Sequence, residues 1–304
     1  MVIVNIHSGL GNQLFQYAFG RKVALDRNME LQFDYTLLYK QEKQHNLLLR
    51  NKLDNFNIVG KEANNDEIGK LQRIEYTSFY YRALRKLSRR KIRLFKNNSY
   101  HIDESTFSKD KKKLAAADHL YITGYLGDIR LLAEFNNVIL PDLKLITPLN
   151  DLNINKKAKI DTVNGVGIHI RRQDYENQQE VFALLTMEYY KSAIEYIIEK
   201  TNNPIFFVFS DDINWVKKMF PKYFPQWNFE YVAINNMDTD FMELELMRSC
   251  KHFIIANSTF SWWAAWLNNN PNKIIIAPKK WFNKKQLQKD YEKGLLVPSD
   301  WIKM

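Results

Sequence analysis

Two consecutive arginines, Arg171 and Arg172, follow a short apolar run in the second half of the chain. The run 165–170 predicts a strand, and because side chains alternate between the two faces of a strand, His169 and Arg171 share one face. A guanidinium beside an imidazole in an apolar strand is costly unless an anion compensates its charge. A pyrophosphate would do so, since arginine binds phosphate oxygens through two parallel hydrogen bonds. The sequence equally allows an ion pair between Arg171 and a structural carboxylate such as Asp174.

A second group of polar residues follows the apolar run 252–256, which also predicts a strand. A helical pattern begins directly after it, and the N-terminus of a helix attracts phosphate through its unpaired N–H groups and its dipole. The junction consists of an amide and small hydroxyls, namely Asn257, Ser258, Thr259 and Ser261. Helix capping by Asn257 or Ser258 would account for one or two of them. The complete run indicates a phosphate site.

Two carboxylates are candidates for contact with a nucleoside. Asp211 follows the apolar run 204–209, and Glu243 lies in a predicted helix. Asp211 could instead bind a metal or cap the helix that follows it, and Glu243 could lie on a solvated helix surface.

Near the N-terminus, Gly9-Leu-Gly11 predicts a tight turn that presents Asn12 and Gln13 to a cleft, where we expect them to contact the ligand. The turn lacks the third glycine of a dinucleotide fingerprint, which argues against an oxidoreductase. The six histidines are scattered, and the sequence has neither a Walker loop nor a nucleophile elbow. We therefore predict a site that requires no metal and no cofactor.

Strand-like and helix-like runs alternate along the chain, which is typical of an α/β fold with parallel sheets. In such sheets ligands bind beyond the carboxyl ends of the strands, where these polar groups fall. The polar segment 141–155 predicts the crossing between two Rossmann-like domains, 1–150 and 151–304. The second half has these predicted strands: 165–170, 204–209, 229–234, 252–256 and 273–277. Its predicted helices cover 186–199, a segment carrying Trp215, 242–250 and a segment through Trp266.

The formal net charge of +10 indicates an anionic partner. The segment 82–96 contains no acidic residue and predicts a basic amphipathic helix, which is either a solvated surface or a contact with an anionic membrane. Nucleic-acid binding would explain the charge but not the arginine and histidine at the end of a buried strand. The single cysteine, Cys250, and the lack of a signal peptide or an apolar run of about 18 residues predict a cytoplasmic protein.

Four motifs taken in order resemble the bacterial α-1,2-fucosyltransferases of glycosyltransferase family 11 along the full chain. They are Gly9-Leu-Gly-Asn-Gln13, His169-Ile-Arg-Arg-Gln-Asp-Tyr175, Phe209-Ser-Asp-Asp212 and Asn257-Ser-Thr-Phe-Ser-Trp-Trp263. The resemblance implies a GT-B fold of two Rossmann-like domains facing a cleft, with the acceptor on the first domain and GDP-β-L-fucose on the second. It also implies a galactoside acceptor, inversion at the anomeric carbon and no required metal. Two positions depart from the family pattern, which usually has glycine where this chain has Ser8 and Gln173.

The resemblance also implies roles for individual residues. Arg171, supported by Arg172, would meet the GDP phosphates, while Asp211 and Glu243 would contact the nucleoside. The hydroxyls of Ser258, Thr259 and Ser261 would surround the β-phosphate.

A fucosyl transfer develops negative charge on the departing GDP, so Arg171 and the helix start at Asn257 would stabilise the transition state. His169 is included among the catalytic candidates because it shares the face of Arg171. We expect Asp174 to deprotonate the acceptor hydroxyl, with Glu176 and Glu180 on the same loop as alternatives. A transferase that uses GDP-mannose or a UDP-sugar remains an alternative. The acceptor, an O-antigen unit or a lactose-like glycan, and the oligomeric state are open.

Overall fold

The computed structural model describes residues 1–45, 50–71, 99–102, 117–124, 129, 132 and 135–304. The chain divides into two compact units, Met1–Lys144 and Leu145–Met304. The basic segment 82–96 lies outside the described residues. Among the described helices, none is both long and apolar enough to cross a membrane.

The first unit contains a parallel sheet with the strand order β3-β2-β1-β5-β4. The central strand is entirely buried and consists of Val-Ile-Val-Asn, as expected where both faces of a parallel strand are covered. The strands are β1 (Val2–Asn5), β2 (Leu31–Asp34), β3 (Lys61–Glu62), β4 (Ser99–Ile102) and β5 (His119–Ile122). Within the part of this unit that the structure describes, the helices are α1 (Leu10–Asp26), α2 (Thr36–His45), α3 (Asn65–Leu71) and α4 (Asn136–Asp142).

The turn from β1 to α1 has two features that the sequence explains. Ser8 has a φ of 67°, in the left-handed region that favours glycine, at the position where the resemblance leads us to expect glycine. Gly20 allows α1 to approach β1 closely, because a Cβ at this position would lie 2.2 Å from Cγ2 of Val4.

The second unit contains a parallel sheet with the strand order β11-β10-β9-β6-β7-β8. Its strands are β6 (Asn164–Ile170), β7 (Pro204–Ser210), β8 (Phe229–Tyr231), β9 (His252–Ile254), β10 (Ile275–Ala277) and β11 (Ile302–Lys303). The register sets Val166 beside Phe206 on one side and beside His252 on the other, so β6 lies between β7 and β9.

Helices pack against this sheet, and one of them illustrates how an apolar helix face is buried. Thr186 caps the helix Met187–Lys200, whose buried residues recur with helical spacing from Tyr189 to Ile197. These residues pack with Val166, Ile168 and other strand residues in one apolar core. The described helices of the unit are α5 (Asp151–Asp161), α6 (Gln173–Glu176), α7 (Met187–Lys200), α8 (Ile213–Tyr223), α9 (Asp240–Arg248), α10 (Thr259–Leu267) and α11 (Lys285–Glu292).

The predicted bounds of several elements need correction, and two elements were not predicted. The crossing predicted for 141–155 is shorter, because α4 extends through Asp142 and α5 begins at Asp151, capped by Asn150. The run 229–234 contributes only three residues to β8, which is an edge strand with a single neighbour. The elements α11 and β11 were not predicted, since α11 is strongly polar and β11 has two residues.

Candidate active site

Three neighbouring strands of the second sheet, β9, β6 and β7, end at the same edge because all strands are parallel. Arg171 follows β6, Asp211 follows β7, and Asn257 follows β9. The predicted polar groups of the second half are therefore brought to one edge, the region where parallel sheets bind ligands. We call this region the candidate site.

Arg171 is held by two carboxylates. Its Nε and Nη2 donate to the two carboxylate oxygens of Asp174, both at 2.8 Å, and its Nε lies 3.3 Å from Oδ2 of Asp211. Burial alone would lower the pKa of Arg171, but these carboxylates outweigh that effect and raise it. The side chain is still 33% exposed. The ion pair with Asp174 that the sequence allowed is thus formed, on a side chain that is only partly buried.

Arg172 points into a different environment. Its guanidinium lies 3.6 Å from the ring centroid of Trp215 and pairs with the carboxylate of Glu176. Its backbone N–H donates to Oδ1 of Asp211 at 2.9 Å. The side chain therefore packs against protein, and Arg172 supports the candidate site through its backbone.

His169 is buried, with 3% of its surface exposed. Burial and the charge of Arg171 lower its pKa to about 3, so the imidazole is neutral at physiological pH. Its ring centroid lies 5.4 Å from that of Phe260 on α10, and its Nδ1 is a buried atom without a hydrogen-bond partner among the described residues. A neutral imidazole in this position can hydrogen-bond a ligand but carries no charge to offer.

The hydroxyls and the amide at the start of α10 largely build the turn itself. Ser258 is the N-cap and accepts from the N–H of Phe260. The hydroxyl of Ser261 is fully buried and lies 3.4 Å from the carbonyl of Ala256. Asn257 donates to the carbonyls of Ala183 and Trp281, both at 2.8 Å. Thr259, in contrast, is partly exposed. The backbone of the helix start and Thr259 are therefore better placed for a ligand than Ser261.

Tyr175, which the sequence analysis did not assign, joins the arginine loop to α10. Its hydroxyl donates to the carbonyl of Asn257 at 2.8 Å, and its ring stacks on Phe182 with centroids 4.3 Å apart. Its ring centroid also lies 5.8 Å from the guanidinium of Arg171. Its position within the arginine motif was the available signal, but its contacts could not be deduced from spacing.

Glu243 lies in the first turn of α9 and has an unusual acidity. Burial, together with the nearby charges of Asp240 and Asp211, raises its pKa to about 8. Burial also raises the pKa of Asp211, against the opposing charge of Arg171. The candidate site therefore contains a carboxyl group that is mostly protonated at neutral pH.

Among the three candidate bases, Asp174 is bound to Arg171 and Glu176 to Arg172. Glu180 lies on an exposed stretch of the same loop. Within the ranges that the structure describes, no three His, Cys, Asp or Glu side chains are grouped to hold a metal ion.

Asn12 and Gln13 lie at the start of α1 in the first unit. Gln13 is fully buried, donates to the carbonyls of Ser8 and Arg50, and accepts from the N–H of Lys52. Its side chain thus ties two backbone segments together, while Asn12 is partly exposed. The polar side-chain atoms of Gln13 and Ser261 bind inside the protein, so we do not propose either side chain as a ligand contact.

Similarity to known proteins extends over the whole chain. The family model Glycosyl transferase family 11 matches residues 1–303. The chain is 32% identical over 294 residues to the alpha-1,2-colitosyltransferase of Escherichia coli, covering 94% of each. It is 31% identical over 310 residues to the Escherichia coli O-antigen biosynthesis glycosyltransferase WbnK, covering 94% of this chain and 97% of that protein.

Among solved structures, a mutant of Arabidopsis thaliana FUT1 in complex with GDP has a similar fold. The TM-score is 0.53 at 11% identity, over 90% of this chain and 69% of that one. This likeness and the two parallel sheets confirm the predicted GT-B-type α/β fold.

Proposed function

The chain belongs to glycosyltransferase family 11, and from this premise we propose that it transfers L-fucose from GDP-β-L-fucose to the 2-hydroxyl of a terminal galactose, with inversion. The E. coli relatives, one named for α-1,2 transfer and the other for O-antigen biosynthesis, support this linkage and an O-antigen unit as acceptor. A lactose-like glycan is the alternative acceptor.

The observation that carries the proposal is the environment of Arg171. It is a partly exposed arginine side chain at the carboxyl edge of a parallel sheet, whose charge is compensated by carboxylates of its own unit. A pyrophosphate carries more negative charge than the Asp174 carboxylate and matches the same bidentate geometry. We expect the donor phosphates to take the place of Asp174 on Arg171.

This exchange has a catalytic consequence. Asp174 loses its cation when the donor binds, and a carboxylate without a counter-ion is a better proton acceptor. In the transfer, the acceptor hydroxyl gives its proton to Asp174 and its oxygen forms a bond to the anomeric carbon. The bond from that carbon to the β-phosphate oxygen breaks, and the electron pair leaves with GDP. Donor binding would thus generate the base that the next step requires.

The negative charge that develops on GDP is met by fixed positive charge. Arg171 supplies a permanent cation, and the N–H groups at the start of α10 supply the positive end of a helix dipole. Both are positioned before the reaction, because the contact between Tyr175 and Asn257 ties the arginine loop to the helix start. Asp211 and Glu243 are the proposed contacts for the nucleoside.

A second candidate donor is a colitosyl nucleotide. It is favoured by the 32% identity to a relative named alpha-1,2-colitosyltransferase. Contacts to phosphates do not discriminate between sugars, so GDP-mannose and UDP-sugars must also be compared.

The decisive experiment incubates the purified protein with a galactose-terminated glycan and one donor at a time. The donors are GDP-fucose, GDP-colitose, GDP-mannose and UDP-galactose, and the product is analysed by mass spectrometry and NMR. We expect product with GDP-fucose and an α-1,2 linkage. If product forms with GDP-colitose alone, the donor is GDP-colitose and not GDP-fucose. Product with only GDP-mannose or UDP-galactose would refute the proposal.

A further inference from the structure

Trp215 is the partner of Arg172, although it lies outside the four sequence motifs. It lies in the first turn of α8, where the Asp212 side chain accepts a hydrogen bond from the backbone N–H of Trp215 at 3.2 Å. The indole is only partly exposed and packs against the apolar core of the second unit. The helix cap and the core therefore fix the position of the indole. Its ring centroid lies 3.6 Å from the Arg172 guanidinium.

The contacts of Arg172 lead directly to Arg171. The N–H of Arg172 holds one oxygen of Asp211 at 2.9 Å, and the other oxygen lies 3.3 Å from Nε of Arg171. Asp211 is joined by the backbone to Asp212, which caps the helix that carries Trp215. These contacts form a closed circuit between the carboxyl ends of β6 and β7.

Resting on the proposed function, we propose that Trp215 is a positioning residue for donor binding. By stacking on Arg172 it directs that guanidinium away from the donor and fixes the backbone at Arg172. The backbone N–H of Arg172 then holds the Asp211 carboxylate in place. That carboxylate orients Arg171 toward the donor phosphates. The two adjacent arginines thus have separate tasks, one in recognition and one in support.

The chemistry of the pair explains why an indole and a guanidinium are suited to this task. A planar guanidinium stacks on an aromatic face, and tryptophan binds cations more strongly than phenylalanine or tyrosine. Nε of Arg172 is a buried atom without a hydrogen-bond partner among the described residues. The indole face and the carboxylate of Glu176 are therefore the main compensation for the buried charge. Without the indole, Glu176 alone holds the Arg172 side chain, and we expect its guanidinium to turn in part toward Asp211 and compete with Arg171.

The test compares Trp215→Leu, Trp215→Phe and, as a matched control, Trp227→Leu. Trp227 is also partly buried against the same core and packs on Phe224. For each variant, the Kd for GDP, the kinetic constants for the donor and the Tm are measured. We expect Trp215→Leu to raise the Kd for GDP about tenfold and Trp215→Phe to retain most of the affinity. Trp227→Leu should lower Tm while leaving the Kd unchanged.

A double-mutant cycle with Arg172→Lys identifies the route of the effect. If Trp215 acts through Arg172, the double mutant loses less GDP affinity than the sum of the losses in the single mutants Trp215→Leu and Arg172→Lys. Additive losses, an unchanged Kd in folded Trp215→Leu, or an equal loss in Trp227→Leu would each overturn the inference. A wild-type protein that does not bind GDP would instead refute the proposed function, and this inference with it.

Discussion

Ionisable side chains at the carboxyl edge of the second sheet have acidities that depend on one another. Asp174 and Asp211 both lie beside the guanidinium of Arg171. The negative charges of Asp211 and Asp240 contribute to the raised pKa of Glu243. Removing or adding one charge here therefore changes the pKa of Asp211 or Glu243. This coupling makes substitutions that keep the shape and remove the charge the most informative.

Arg171 is predicted to be indispensable. Arg171→Ala should abolish transfer and GDP binding, and Arg171→Lys should leave a small remnant, because lysine cannot form the bidentate phosphate contact. Isothermal titration with GDP and initial-rate assays measure both effects. Arg248→Lys is the control, since Arg248 also pairs with a carboxylate, Glu245, but lies on α9 outside the contacts described for Arg171. Full activity of Arg171→Lys would contradict the phosphate assignment.

Because of Glu243, we expect the free energy of unfolding to fall as the pH rises. Its pKa is raised from 4.5 to about 8 by folding, so the folded state binds the proton more tightly. The resulting stabilisation is complete below pH 4.5, is lost as the pH rises toward 8, and changes no further above that value.

Glu243→Gln removes this dependence. Relative to wild type, its Tm should increase by about 3 °C or more between pH 5 and pH 8, measured by differential scanning calorimetry. Glu195→Gln, at an exposed position of α7, should follow wild type at each pH. Parallel curves for wild type and Glu243→Gln would show that Glu243 is charged in the folded protein throughout this range.

The helix α10 depends on a lysine from outside the helix for its C-terminal end. Nζ of Lys273 donates to the carbonyls of Ala265 at 2.8 Å, Trp266 at 3.4 Å and Asn268 at 2.6 Å. Carbonyls at the end of a helix have no partner within the helix, and a cation there also interacts favourably with the dipole. The lysine thus stabilises the helix whose other end belongs to the candidate site.

We expect Lys273→Met to lower the free energy of unfolding by about 2 kcal/mol, because charged hydrogen bonds are lost and half-buried carbonyls are left unpaired. Urea denaturation measures this difference. Lys280→Met, at an exposed position nearby, should have little effect. Equal stability of the two variants would mean that water replaces the ammonium group without cost.

Strand ends were predictable where apolar runs were long, and side-chain partners were not. Parallel topology alone brings Arg171, Asp211 and Asn257 to one edge, so their association followed from the strand pattern. The contacts of Trp215 with Arg172 and of Tyr175 with Asn257 depend on how α8 and the loop after β6 pack in three dimensions. Periodicity carries no information on such packing. The burial of Ser261 was missed for the same reason.

Catalysis without a divalent cation is a prediction for the complete enzyme. Transfer should persist in excess EDTA, because Arg171 and the start of α10 supply the positive charge that the departing GDP requires. Activity is compared before and after chelation, and again after Mg²⁺ or Mn²⁺ is added. Loss in EDTA and recovery only with metal would show that an acidic residue such as Asp211 or Asp240 binds the ion.

The net charge of +10 leads to a prediction about membranes. If the acceptor is lipid-linked, the basic segment 82–96 should bind vesicles that contain anionic lipid at low salt, and not at about 1 M salt, where the Debye length is about 3 Å. Co-sedimentation measures this binding. Replacing the segment's lysines and arginines by glutamine should abolish it. Replacing the exposed lysines 279, 280, 284, 285 and 289 is the control for general charge. Equal binding to neutral and anionic vesicles would identify the segment as a solvated surface.

The strand order of the second unit leaves one edge of β6 unpaired while the chain is being synthesised. One edge of β6 pairs with β7, the next strand along the chain. The other edge of β6 pairs with β9, which is synthesised only after β8 and α9. Until then the nascent chain presents Val166 and Ile168 on an open edge of unpaired backbone groups, a template for aggregation. Slower translation between β8 and β9 prolongs this exposure. We therefore expect the yield of soluble protein to depend on growth temperature and on chaperones that cover this edge.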